Sequence, residues 1–315
     1  MDLRYLGCVA LLIVPTAGAE AASLPGLSAL QSVSPTVLQQ IGLDQPGCET
    51  WQTSLSDSGT ILAVEVNCEE ADGGRRVWLV EDGQRAVAAT PDLGPGNPND
   101  DAVFGTGVDL YWDADTLYIS TFIELPLADE EEYPGSEQVD YSATLAGSTR
   151  LESIPDDVLQ AAEQRKRQWH PEDWTEVLDN ADAIGESVLT LGSPAEGYLV
   201  WLDEQPDQGD VFTLFMRDMT EGATAREIVR GGDELLNFRF DSWHVFYPTP
   251  TDIRVYDLKT GQSQIIAGST PDSGLLEWHE QTSSLVWKSH QPCTGGETTA
   301  YLNLCIAHVD GLDLP

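Results

Sequence analysis

The stretch Phe238–Gly268, FRFDSWHVFYPTPTDIRVYDLKTGQSQIIAG, constrains this chain more than any other. Phe238, Phe240, Trp243, Val245 and Tyr247 supply two short apolar strands around a turn near Asp241-Ser242. Pro248 to Thr251 form a second turn, and Ile253, Val255 and Tyr256 a third strand. Asp257-Leu258-Lys259-Thr260-Gly261 is a third turn, and Ser263 to Ala267 a fourth strand. β-branched and aromatic runs separated by Gly, Pro, Asp and Thr clusters predict a four-stranded antiparallel meander. A single meander cannot bury both of its faces, so the chain must supply others to stack against it.

Copies recur along the sequence. Trp51–Leu55, Ile61–Val66, Val77–Val80 and Ala86–Ala89 make one, with turns at Asp57-Ser58-Gly59, Asp72-Gly73-Gly74 and Asp82-Gly83. Val108–Trp112, Leu117–Phe122, Tyr141–Leu145 and Thr149–Ile154 make another, interrupted by an acidic loop that contains Asp129-Glu130-Glu131-Glu132. Val188–Gly192, Tyr198–Leu202, Val211–Met216 and Arg226–Val229 make a third. The last unit has three clear strands, Leu275–Trp278, Leu285–Lys288 and Tyr301–His308, and lacks a fourth. Thr36–Gly42 is the expected donor of that missing strand; a short helix or a loose lead-in is the other reading of it.

Residues 155 to 183 break the pattern. Pro155 and the acids after it open a helix that ends in Arg165-Lys166-Arg167, and Pro171–Leu178 has the makings of a second, short one. The expected architecture is therefore all-β: a single β-propeller of five four-stranded blades, or six if residues 130 to 190 hold a degenerate one, with a helical insertion at about 155–183. The expected organisation is a signal peptide over 1–21, a lead-in over 22–47 and the propeller over 48–315.

The segments Asp57-Ser58-Gly59-Thr60-Ile61-Leu62-Ala63-Val64 and Ile253-Arg254-Val255-Tyr256-Asp257-Leu258-Lys259-Thr260-Gly261-Gln262 resemble blades of the TolB-like and WD40-like propellers of bacterial envelope proteins. That resemblance implies the fold and an envelope setting. It names no ligand.

The N-terminus reads as an export signal. Arg4 precedes the apolar run Leu6–Val14, and Ala17-Gly18-Ala19 and Ala19-Glu20-Ala21 both fit a small-x-small cleavage site. The run is too short to span a bilayer, which takes roughly 20 residues. Cleavage removes Cys8 and leaves Cys48, Cys68, Cys293 and Cys305. The turn at Ser58 lies midway between Cys48 and Cys68, so antiparallel pairing brings them face to face. Cys293 and Cys305 flank the turn-rich Thr294-Gly295-Gly296 loop, and the expected disulfides are Cys48–Cys68 and Cys293–Cys305. Zinc is disfavoured, because there is no C-x-x-C pair and no histidine at ligand spacing. Export implies a periplasmic or extracellular location.

Fifty-three acidic residues stand against 15 basic ones, a formal charge of −38, and the only lysines are Lys166, Lys259 and Lys288. Such a surface repels nucleic acid and anionic lipid, and it suits a salty medium that screens the repulsion. No G-x-S-x-G elbow, H-E-x-x-H or Walker loop occurs. His170, His244, His279, His290 and His308 are scattered. Calcium is the only cofactor candidate, at Asp113-Ala114-Asp115 or Asp179-Asn180-Ala181-Asp182, but neither has EF-hand spacing and both read better as turns. Thr270–Gly274 with Trp278 loosely resembles a sialidase Asp-box and is also read as a turn. No residue is assigned as catalytic, cofactor-binding or metal-binding. The expected function is a non-enzymatic scaffold that binds a protein, peptide or glycan at one propeller face. The alternative is a secreted carbohydrate-active enzyme of the glycoside hydrolase type, using carboxylates at the channel.

Overall fold

The structure is a computed structural model. It describes residues 26–68, 74–93, 108–124, 136–169, 188–192, 198–204, 211–218, 224–240, 243–268, 274–293 and 301–310. The signal-peptide segment, the acidic run Asp129–Glu132, the Asp241-Ser242 turn, Asp179–Asp182, Thr270–Ser273 and Pro171–Leu178 lie outside them.

The described residues form five four-stranded antiparallel sheets and two α-helices. Sheet I contains β2 (Cys48–Leu55), β3 (Ile61–Cys68), β4 (Arg76–Glu81) and β5 (Arg85–Ala88) in that order. Sheet II contains β6 (Val108–Asp113), β7 (Thr116–Glu124), β8 (Ser136–Thr144) and β9 (Gly147–Leu151). Sheet III contains β10 (Val188–Gly192), β11 (Tyr198–Glu204), β12 (Phe212–Asp218) and β13 (Arg226–Gly231). Sheet IV contains β14 (Arg239–Phe240), β15 (His244–Pro248), β16 (Asp252–Asp257) and β17 (Gln262–Gly268). Sheet V contains β18 (Gly274–His279), β19 (Ser284–Ser289) and β20 (Asn303–Asp310), and β1 (Gly26–Ser32) from the chain's beginning pairs with β20 as its outer strand. Helix α1 spans Pro35–Ile41 and α2 spans Asp156–Trp169.

Two segments differ from the sequence expectation. The fourth strand of the last sheet is Gly26–Ser32, and Thr36–Ile41 lies in α1. Capping explains the helix. The Ser34 hydroxyl accepts a hydrogen bond from the Val37 amide, Pro35 occupies the first turn, and Gly42 ends the helix in the left-handed region at φ 92°. Val37, Leu38 and Ile41 then share one buried face, a helical spacing that a strand would have split between two faces. The second difference is the pair Ser136–Thr144 and Gly147–Leu151, which start and end earlier than the apolar pattern indicated and complete sheet II.

Alternation along the middle strands stacks the sheets. In β3 every residue from Ile61 to Asn67 is buried. Leu62, Val64 and Val66 enter a core shared with Val286 and Leu304 of sheet V and with Val37, Leu38 and Ile41 of α1. Ile61 and Ala63, on the opposite face, enter a core shared with Leu117, Ile119 and Val139 of sheet II. Sheet V repeats the scheme: Val286 faces sheet I, while Leu285 and Trp287 pack against Phe246, Ile253 and Val255 of sheet IV. Sheet IV does the same, with Val245 and Tyr247 turned to Val200, Leu202 and Leu214 of sheet III. A strand buried on both faces reads as a near-continuous apolar run, and each such residue stabilises the stack by about 1.5–3 kcal/mol. The sheets thus stack in the order III, IV, V, I, II.

The N-terminal segment joins sheets V and I. Val33 N–H donates to Leu304 O at 3.1 Å, Ser34 N–H to Gly83 O at 2.8 Å, and Leu302 N–H to Leu43 O at 3.0 Å. Cys48 and Cys68 sit directly opposite each other in the β2–β3 ladder and are joined by a disulfide; a second joins Cys293 to Cys305.

Candidate functional site

The first strands of four sheets meet. The Leu55 amide of β2 donates to Glu277 Oε1 of β18 at 3.2 Å, across 222 positions of sequence. The Trp112 indole of β6 donates to Ser54 Oγ of β2 at 3.1 Å. Arg239 of β14 places its charge near Glu277. Glu277 Oε2 is buried and accepts no hydrogen bond. Burial pushes the Glu277 carboxyl up to about 8, against the opposing pull of the Leu55 N–H and of Arg239 and Ser54.

A second buried pair lies between sheets I and II. Glu65 of β3 and Arg75, just before β4, are both almost fully enclosed, with Oε1 and Nε 3.6 Å apart. Arg75 also donates to Thr121 Oγ1 of β7 at 2.9 Å. Burial raises Glu65 to about 7 despite the adjacent guanidinium.

The two ends of the stack differ. At one end the turns between first and second strands interlock. Ser58 Oγ donates to Asp115 Oδ1 at 2.8 Å, and the Ala114 amide donates to Asp57 Oδ2 at 3.1 Å. A Cβ on Gly59 would lie 2.9 Å from Thr282 Cγ2. Asp115 therefore serves turn-to-turn contact. His279 Nδ1 lies 2.8 Å from Thr282 Oγ1 and His308 Nδ1 2.7 Å from Thr282 O, so these two histidines converge here. His290 sits instead at the other end, against Tyr301, and His244 is buried in β15. Among the described residues no three His, Cys, Asp or Glu side chains are grouped to hold a metal ion.

The opposite end is where β2 and β20 begin and β3 and β19 end. Two cavities open there on either side of Cys48. The first, of about 550 Å³, is bounded by the end of α1, the Cys48–Cys68 disulfide, Gln39, Gln45, Arg76 and Trp78. The second, of about 530 Å³, is lined by Glu49, Lys288, His290, Tyr301 and Leu302 together with Cys48. Trp51 is the extra residue of a bulge in β2, opposite the Val66/Glu65 step of β3, and is 43% exposed. Tyr301 is 45% exposed. Among the described residues no helix is long and apolar enough to cross a membrane.

Of these residues, sequence inspection singled out the four cysteines, Asp115 with its turn, and the histidines. It passed over Glu65 and Glu277, although each is a lone acid in a strand otherwise apolar on the same stretch, ILAVEVNC and GLLEWH. That contrast is a usable signal for a buried carboxyl. The cavity residues carry no such mark, because α1 and β4 come together only through tertiary packing.

These sheets define an all-β protein with few helices. No protein-family model matches the chain. No curated protein is significantly similar to it. Among solved structures it is similar to the AfRom2 CNH domain, at 9% identity over 83% of this chain and 95% of that one, with a TM-score of 0.32. It is also similar to an oligogalacturonate lyase in complex with manganese, at 12% identity over 84% and 90%, with a TM-score of 0.36. Dipeptidyl peptidase 4 of Porphyromonas gingivalis matches at 12% identity and a TM-score of 0.26, over 76% of this chain and 35% of that one.

Proposed function

We propose that the five sheets are the blades of one five-bladed β-propeller of the exported, envelope type, and that it works as a non-enzymatic binding scaffold. Sheets II and III would close the ring, and the meeting first strands would surround its axis. The observation that carries the binding role is the asymmetry of the two ends. Short turns lock to one another at one end, while two cavities and the exposed rings of Trp51 and Tyr301 lie toward the other. Rigid frames that present loops and concave sites on one face are the usual basis of recognition. Two disulfides in a chain with an apolar, small-residue-terminated N-terminus favour a periplasmic or extracellular setting.

A glycosidase would place two carboxyls across a pocket, about 5–10 Å apart. The buried acid at the first strands, Glu277, is instead held by a backbone amide and faces a guanidinium. The test is a panel of chromogenic glycosides alongside a glycan array and a purified-partner screen, run at high salt with and without calcium. Binding without turnover supports the scaffold. Turnover of any glycoside overturns it.

A further inference from the structure

We infer that the cavity between α1 and the Cys48–Cys68 disulfide is a saccharide-binding site, with Trp78 as its platform and Gln39, Gln45 and Arg76 as its polar contacts. This rests on the binding-scaffold reading above and names the ligand class. The lining is unusual for this chain. The described residues that line this cavity include no Asp or Glu, although Asp92 pairs with Arg76 at 3.9 Å. They supply side-chain amides, one guanidinium and one indole.

That set matches a sugar ring. A hydroxyl both donates and accepts, and a glutamine amide offers both functions in one plane. Among the described residues no hydrogen bond engages the side chains of Gln39 and Gln45, both of which are exposed. Gln40 beside them is tied down, its Nε2 donating to Ala86 O at 3.1 Å. Trp78 is half-buried, packed at its inner part on the α1 core. An indole face that is both anchored and accessible offers a rigid apolar surface to the C–H face of a pyranose at little entropic cost.

The site is built rather than incidental. Gly42 turns the chain out of α1 in the left-handed region, and a Cβ there would lie 3.4 Å from Cys68 Sγ and 3.6 Å from Cys48 Sγ. The close approach packs the end of α1 against the disulfide, and both line the cavity. The volume, about 550 Å³, falls in the range of small-ligand sites, about 300–1,000 Å³.

The test uses the full mature protein on an array of immobilised neutral and uronic oligosaccharides, followed by calorimetric titration of the best-bound soluble oligosaccharide. Trp78→Ala is expected to weaken binding at least tenfold. Because Trp78 also packs inward, the paired change Gln39→Ala with Gln45→Ala serves as the variant that leaves the core alone, with an expected loss of about five- to tenfold and an unchanged melting temperature. Arg76→Gln is expected to weaken uronic sugars more than neutral ones. No binding to any sugar, or binding that survives the double glutamine change, overturns the assignment. Release of reducing ends by the wild type would instead sink the scaffold reading itself, so the two failures are distinguishable.

Discussion

At Glu277, burial and hydrogen bonding pull in opposite directions, and burial prevails. The carboxyl is held near 8 against an ordinary value of 4.5, so the folded protein keeps a proton there that the unfolded chain gives up above about pH 4.5. Its contribution to stability is present below that pH and is lost as pH rises through about 8. Glu277→Gln keeps an oxygen for the Leu55 amide and removes the ionisation. The variant should match the wild type at pH 5 and exceed it by about 2–4 kcal/mol at pH 9, read as the difference between paired urea titrations at each pH. A difference that does not change with pH would mean that the carboxyl titrates normally. Burial likewise raises Glu65, to about 7, but here a guanidinium is enclosed with the carboxyl. Glu65→Ala strands the buried Arg75 guanidinium and should cost about 3–5 kcal/mol in urea unfolding. Replacing both by Leu and Met should cost clearly less. Equal losses for the single and the double change would show that the charges are not coupled.

At the scale of elements, the N-terminal segment is the joint of the molecule. Gly83 in the β4–β5 turn has φ 68°, and a Cβ there would lie 2.9 Å from Ser32 O and 3.3 Å from Val33 Cα, both backbone atoms. Gly83→Ala must therefore strain the turn or push β1 and α1 away, a loss of about 1–2 kcal/mol or more. Hydrogen exchange should localise it: the Ser34 amide, bonded to Gly83 O, should lose protection while β11 and β12 keep theirs. Uniform loss of protection would mean that the joint and the sheets unfold together. This joint marks the limit of what the sequence discloses. Middle strands such as Ile61–Cys68 were legible as strands, but the alternation read there indicates one buried face, whereas β3 is buried on both. The Cys48–Cys68 pairing was legible because the turn at Ser58 lies midway between them, although the turn alone leaves Cys48 one residue out of register and the bulge at Trp51 brings it opposite Cys68. The sheet-closing strand Gly26–Ser32 was not, since its partner β20 lies at the far end of the chain and nothing local records that pairing. Thr36–Ile41 carried the cap signals of a helix, Ser34 with Pro35 before it and Gly42 after, but the need for a fourth strand in the last unit outweighed them. The cavity beside α1 was hidden for the same reason as β1.

For the whole molecule, the dominant field is its own negative charge. Exposed ion pairs such as Arg85–Glu81, Arg150–Glu137 and Arg230–Glu227 consume a sizeable part of the scarce cations, and each contributes about 0–1 kcal/mol. With 15 basic residues against 53 acidic ones, carboxylates outnumber their possible cationic partners more than threefold. Salt acts on both kinds of interaction, and the sign of its effect tells which prevails. Where attractive pairs dominate, added salt lowers stability; where repulsion dominates, it raises it. The Debye length falls from about 10 Å at 0.1 M to about 3 Å at 1 M, which screens repulsion between neighbouring surface carboxylates while leaving the enclosed Glu65–Arg75 pair almost untouched. The melting temperature should therefore rise by several degrees between 0.1 and 1 M sodium chloride and level off beyond. Potassium chloride should do the same, because screening depends on ionic strength rather than on a bound cation. A fall in melting temperature would place the stabilising electrostatics in the surface pairs. A rise confined to one cation would point to specific ion binding and set aside the screening account.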